Sequence, residues 1–377
     1  MSRIFTVGAL TGTASLLAIL SASAQGLPEV TQSFPDGTEA RFYGQINKGF
    51  LVYDDGIESE TFSLIDNSNT GTRVGLSYTR PFAQGWIFDS RVEVQYAPFN
   101  TGAANILDDN TNNDFDIDNN LRKAEIGFVN ERYGALTLGQ GSMASDGSTE
   151  VDFSETWVIA YSGVGDTAGG QILRLDDGEF SDLIIYDGFD NFDGLSRKMR
   201  VRYDSPSFNG FELAMSYGQD VLSDSSEDLY DIKGSYDAEF DAFLFAAAVA
   251  YSWSGDETTL LSGSGSVLHA PTGLNFTLAG AQQDNDDASS PSYGYAKLGW
   301  ITDFLDIGSS AFSVDWYSGQ DFVSDGSDSE SWGIAFVQDF ERANTEFWAV
   351  YRDYDFSEDV AEYETGNAIF AGLRFFW

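Results

Sequence analysis

The sequence has no cysteine, a single histidine, and only 19 lysines and arginines against 60 aspartates and glutamates. Without cysteine there are no disulfides, no thiolate metal sites and no acylated lipoprotein anchor. A formal net charge of −41 makes nucleic acid a poor partner, because binding to a phosphate backbone rests on clustered cations. The sole histidine, His269, stands beside Pro271 in a turn-like stretch, so a serine–histidine nucleophile pair would have to sit at the edge of the fold. Paired carboxylates such as Asp176 and Asp177 are neighbours in an acidic stretch, and nothing else suggests a poised acid and base. These absences argue against an enzyme. Beyond the first two dozen residues, no segment approaches the roughly 18 consecutive apolar residues of a membrane helix. A chain of this kind enters a bilayer only as a closed barrel, because only helices and closed barrels satisfy their own backbone in lipid.

Aromatics, by contrast, are abundant at 15%. In so polar a chain they need an apolar place, and a lipid-facing band flanked by aromatic girdles is one. The first residues read as a secretory signal peptide, predicted over 1–24. Arg3 supplies a small positive region, Val7 to Leu20 is apolar, and Ala22-Ser23-Ala24 is a small-residue cleavage site before Gln25. Residues 25–377 then form one large β domain. Period-two alternation predicts strands near 40–53, 72–80, 85–98, 120–130, 134–141, 197–205, 210–219, 228–237, 241–254, 258–269, 273–282, 292–302, 308–319, 330–339, 345–354 and 365–377. Their number is even, and their joins alternate in kind. Short turns such as Pro81-Phe82-Ala83-Gln84 and Ala270-Pro271-Thr272 take turns with mostly longer, acidic stretches such as Asp54 to Gly71 and Phe99 to Asn119. Sorted loops of this kind suit a barrel threaded through an outer membrane. Along the strands, Val74, Leu76 and Tyr78 alternate with Arg73, Gly75 and Ser77, while Phe211, Leu213, Met215 and Tyr217 alternate with Glu212, Ala214, Ser216 and Gly218. One face suits lipid and the other water. In the last hairpin, Trp348 and Val350 compete with Phe347, Ala349 and Tyr351 for the outward face.

One stretch of about 55 residues, Gly141 to Leu195, has no convincing strand pattern. It has apolar mass to pack, including Phe153, Trp157, Ile159, Phe180 and Tyr186, and many acids against one base, Arg174. A loop that long inside a compact domain is ordinarily functional or disordered, and this composition is not that of a disordered segment. It is read as a loop, about 142–195, folded into the lumen of the barrel to narrow it.

Several motifs carry a resemblance. Arg41-Phe42-Tyr43-Gly44-Gln45-Ile46-Asn47-Lys48-Gly49 resembles the opening strand of the Gram-negative general porins of alphaproteobacterial type, and Thr72-Arg73-Val74-Gly75-Leu76-Ser77-Tyr78 resembles their second strand. Arg202-Tyr203-Asp204-Ser205-Pro206 with Phe208-Asn209-Gly210-Phe211 resembles the hairpin after their constriction loop, and the closing strand through Phe375, Phe376 and Trp377 resembles their last. The resemblance implies a sixteen-stranded antiparallel outer-membrane β-barrel, a homotrimer in contact with lipid and lipopolysaccharide, with no cofactor. It implies passive diffusion of ions and small hydrophilic solutes. The acid excess adds an expected mild cation preference, although the waist rather than the net charge decides selectivity.

Arginines gather on the inferred inner face at Arg73, Arg91, Arg200 and Arg202, while alternation leaves the facing of Arg122 ambiguous. The resemblance places a constriction at Arg73, Arg122, Arg200 and Arg202 on the wall, facing Asp166, Asp176, Asp177 and Glu179 on the loop. A basic wall opposite an acidic loop sets a transverse field across a narrow pore. The alternative is that these charges are salt bridges holding the loop down. Asp114, Asp116 and Asp118, with Glu125, match the ligand spacing of a calcium loop, but Asn119 stands where the turn glycine belongs, so loose calcium binding or a plain solvated loop are the readings open there. Two rival functions remain: a substrate-selective channel, which inward aromatics along the path would favour, and a secreted acidic calcium-binding β protein.

Overall fold

A computed structural model of the chain describes residues 30–107, 117–223, 227–255, 258–285 and 289–377. The predicted signal peptide, residues 1–24, lies outside the described residues, as do Asp114 and Asp116 and the side chain of Asp118.

Twenty strands run through the described residues. β1 (Val30–Ser33), β2 (Glu39–Asp54), β3 (Ser59–Asp66), β4 (Arg73–Ala83), β5 (Trp86–Gln95), β6 (Leu121–Asn130) and β7 (Gly134–Ser142) come first. The short β8 (Ile172–Arg174) and β9 (Phe180–Ile184) pair only with each other. Then follow β10 (Arg197–Asp204), β11 (Phe211–Gln219), β12 (Leu229–Phe240), β13 (Phe243–Ser254), β14 (Thr258–His269), β15 (Leu274–Asn285), β16 (Ser292–Leu305), β17 (Gly308–Gln320), β18 (Asp328–Phe340), β19 (Thr345–Ser357) and β20 (Gly366–Phe376). β10 pairs with β7 across the long intervening segment, each later strand pairs antiparallel with the next, and β20 returns to pair with β2. The sheet is therefore a closed antiparallel barrel of sixteen staves, and closure leaves no unpaired edge to lipid.

One stave is made of two pieces. The first half of β2 pairs with β4 (Gln45 opposite Arg73) and the second half with β3 (Asp54 opposite Ser59). This corrects the expectation of a long loop over Asp54 to Gly71: half of that stretch is strand. Its pattern is hidden because Leu64 is unpaired in a bulge, with φ at 58°, so the buried Phe62 and Ile65 stand three apart instead of two. The segment read as strandless likewise contains the β8–β9 hairpin, each strand too short for alternation to register.

Along β11 the pattern is regular, with Phe211, Leu213, Met215 and Tyr217 exposed outside while Glu212, Ala214 and Ser216 are buried inside. β19 is the exception. There Trp348 and Val350 are fully or almost fully buried on the inner face, together with Tyr354 and Phe356. Their burial comes from the segment between β7 and β10. Val158, Ile159, Val164, Leu173, Ile185 and Phe189 pack into one apolar core with Leu51, Tyr53, Tyr317, Val337, Trp348, Tyr354, Phe356 and Phe370 of the inner face. Phe189 stands edge-on to Tyr354 with ring centroids 5.1 Å apart, a favoured aromatic geometry.

Candidate functional site

The 143–196 segment is fastened to the inner face by a ladder of hydrogen bonds. Ser262, Ser264 and Ser266 alternate on β14, so all three point inward. Ser262 meets Ser148 at 2.7 Å, while the Ser264 and Ser266 hydroxyls accept from the backbone of Val151 (2.9 Å) and Phe153 (3.1 Å). Further round, Thr156 donates to Ser313, Tyr317 to the Asp190 carbonyl, Ser329 to that of Gly188 and Tyr354 to that of Val164. Lys297, with no exposed side-chain surface, pairs with Asp152 and donates to the Ala160 carbonyl at 2.5 Å. At the far end Arg174 reaches Asp55 (3.4 Å) and Glu58 (3.1 Å) and lies over Phe180. The inward hydroxyls of Ser262, Ser264, Ser266, Ser313, Tyr317, Ser329 and Tyr354 all find partners on the segment, so its packing leaves these buried groups satisfied.

Between this segment and the strands β2, β4, β5 and β6 lies a cavity of about 1040 Å³. Its strand side and the ends of the segment carry Arg41, Arg73, Arg91, Arg122, Lys123, Arg197 and Arg374; its carboxylates are Glu93, Asp146, Glu150, Asp166, Asp190 and Asp193. Cross-strand register builds the basic side: Arg41 faces Ser77, which faces Arg91, and in the next inward row Gly75 faces Glu93, which faces Lys123. Tyr43 lies across Gly75, where any Cβ would strike its ring, and so reaches Glu93 with its hydroxyl at 2.9 Å. Glu93 also accepts from Arg122 at 2.7 Å. Arg122 enters the cavity by a bulge: opposite Glu93 and Val94 the register passes from Lys123 to Leu121, leaving Arg122 unmatched and turned inward beside Lys123. Re-aiming one side chain is a recurrent use of a bulge.

On the segment, Asp166 accepts hydrogen bonds from the hydroxyls of Tyr161 and Tyr186. Burial raises its pKa and the two hydroxyls oppose the rise. Asp193 accepts from the Gly147 and Thr149 backbone amides and the Thr149 hydroxyl, yet burial and the charge of Asp146 push it up to about 7. Glu150 opens onto the cavity; enclosure, then the charges of Asp193, Asp146 and Asp166, move its carboxyl upward as well. Burial also acts against ionised Asp146, but Arg197, Ser142 and Lys233 outweigh it and hold that carboxyl below its usual range.

The predicted constriction residues thus separate. Arg73, Arg122 and Asp166 meet at this cavity. Arg200 is buried and donates to the carbonyls of Ser142 and Gly139 and to Glu125 at 2.6 Å, so it fixes the start of the segment. Arg202 is held by Asp204 and the Met143 carbonyl beside a second cavity of about 350 Å³. Asp176, Asp177 and Glu179 belong to the turn joining β8 to β9, where the Asp176 amide donates to Glu362, away from the lining of the large cavity. Arg41, Lys123, Arg197, Arg374, Asp146, Glu150, Asp190 and Asp193 were not singled out as site residues. Alternation with Phe42 and with Leu373 and Phe375 marks Arg41 and Arg374 as inward; nothing local marks Asp190 or Asp193. The inward aromatics Trp348, Tyr354, Phe356 and Phe370 lie under the segment and do not line the cavity. His269 bonds Thr272 at 2.7 Å in the turn after β14.

A sequence model of the Gram-negative porins matches residues 11–359. No curated protein sequence matches the chain. Among solved structures, the anion-selective porin from Comamonas acidovorans superimposes with a TM-score of 0.62 at 14% identity, covering 90% of this chain and 100% of that one. In vitro folded OmpT of Vibrio cholerae, in its trimer form, gives 0.58 at 12% identity over 90% of this chain and 99% of its own. OmpF of Salmonella typhi in complex with daunomycin gives 0.55 at 14% identity, over 91% and 99%. At these identities the structural likenesses speak for the fold, and the family match speaks for the class: a channel of the bacterial outer membrane rather than an enzyme. The chain belongs to the Gram-negative porin family.

Proposed function

We propose that the 143–196 segment lies folded in the lumen as a constriction, and that ions and small hydrophilic solutes pass between it and the basic wall of β2, β4, β5 and β6. The observation that carries this reading is the one-sided fastening: the segment bonds to inward-facing groups of β11 to β19, while the cavity opens against the opposite wall. Passage is passive, with no cofactor and no energy coupling. The constriction is formed by Arg73, Arg122 and Asp166 together with Arg91, Lys123, Arg197, Glu150 and Asp193. The exposed outer band, such as Leu213, Leu278, Leu298 and Val314, meets lipid and lipopolysaccharide. The trimer form of the Vibrio neighbour supports a homotrimer here, and residues 1–24 are proposed to direct export.

Reconstitution of detergent-purified protein in a planar bilayer tests the reading. Large, stable conductance steps, grouped in threes, are expected. Absence of steps from correctly folded protein overturns it.

A further inference from the structure

The whole chain carries 60 acids and 19 bases, yet the large cavity is lined by seven of those bases and six side-chain carboxylates. The surplus of acid is therefore elsewhere. Charges more than a Debye length away, about 10 Å at 0.1 M salt, are largely screened from an ion at the waist. Lining groups decide what it meets.

Those groups differ in availability. Arg41, Arg91, Lys123 and Arg197 line the cavity, and among the described residues no carboxylate comes within 4.0 Å of any of them. The carboxylates are mostly engaged. Glu93 is taken by Arg122 and Tyr43, Asp166 by two tyrosine hydroxyls, and Asp193 by two amides and a hydroxyl. Asp190 accepts from the Phe192 amide at 2.9 Å. Asp146 and Glu150 are left to meet a cation in transit, whereas an anion meets four cationic side chains whose guanidinium and ammonium N–H groups are free to replace its water.

We infer that the channel selects small anions over cations, against the sign of its own net charge, with Arg41, Arg91, Lys123 and Arg197 as the groups an anion contacts in transit. This rests on the channel reading above. It replaces the mild cation preference suggested by composition with a preference set at the waist. The solutes favoured are inorganic anions and small carboxylates or phosphates.

The test is the zero-current potential of the full-length protein in a planar bilayer under a roughly tenfold KCl gradient, with the dilute side near 0.1 M so that distant acids stay screened. Wild-type channels are expected to reverse on the chloride side. The double variant Arg91→Glu with Lys123→Glu is expected to move the permeability ratio towards potassium roughly fivefold or more, since one unit charge at about 4 Å in water is worth about that factor. Arg91→Gln with Lys123→Gln, a milder change for folding, is expected to move it in the same direction by less. A wild-type reversal on the potassium side, or a ratio unmoved by the glutamine variant, overturns the inference while leaving the pore intact. Folded protein without conductance fails the channel reading itself.

Discussion

The two inner walls of this barrel follow the same strand alternation and end in opposite states. On β16 to β20 and the second half of β2 the inner face is apolar, including Tyr53, Tyr317, Trp348, Tyr354, Phe356 and Phe370, and is covered by the 143–196 segment. The charges buried deepest on that side are closed pairs: Arg352 with Asp315 at 2.8 Å, neither side chain exposed, and Lys297 with Asp152. On β4, β5 and β6 the inner face is polar and open, and among the described residues no carboxylate comes within 4.0 Å of its Arg91 or Lys123. Aqueous solvation and cover by protein are alternative ways to satisfy a groove wall, and each demands its own residues.

The largest effect is expected on the covered side. Lys297→Met leaves Asp152 buried and unpaired, a change that typically costs about 3–5 kcal/mol. The heat needed to unfold the barrel in detergent should drop, and single-channel recordings should show larger, noisier steps as the segment loosens. An unchanged conductance would mean that Lys297 is no anchor. Phe189→Ala, which empties the centre of the inner core, is expected to cost about 3–5 kcal/mol by lost transfer and cavity terms. It should mimic Lys297→Met in conductance while leaving ion preference in place.

On the bare side the expected effects are electrical. Asp193, at about 7, gains a proton as pH falls through neutrality; burial and the neighbouring acids raise Glu150 too, while Arg197 and Lys233 help Asp146 to keep its charge. Protonation removes negative charge from the waist, so anion permeability relative to cations should rise as pH is lowered, and Asp193→Asn should flatten the dependence. Gly75→Val drives Tyr43 off Glu93 by steric clash. Overpacking of this kind costs about 1–3 kcal/mol, and the freed Glu93 should shift the zero-current potential towards cations. The smallest effect belongs to Asp176→Asn with Asp177→Asn, in a turn away from the cavity. Selectivity at high salt should be unchanged, and a clear shift would bring that turn into the ion path.

Much of this was legible in advance, and for a definite reason. A strand with lipid on one side and water or protein on the other must alternate, so the sixteen staves from β2 to β20 could be read from period two almost to their ends. Arg73 could be placed inward because it falls in step with Gly75 and Ser77, out of step with the outward Val74 and Leu76. Where a bulge breaks the rhythm, reading stops: Leu64 hid a strand, and Arg122 owes its facing to register against a partner strand. The ambiguity at Trp348 has a similar cause. Its inward face is apolar because another part of the chain covers it, and alternation cannot report on that cover.

Composition and periodicity by themselves determined the barrel, its strand count, the sorting of loops and the place of the long segment in chain order, because each follows from the local demands of a lipid–water boundary. Only the tertiary structure decided which acids and bases meet across the cavity. Asp190 and Asp193 reach it, and Asp176 and Asp177 do not, because the β8–β9 hairpin and the apolar core around Phe189 dictate how the segment is seated. That seating depends on contacts between residues more than a hundred positions apart, such as Ser148 with Ser262 and Val164 with Tyr354, and no local pattern encodes them.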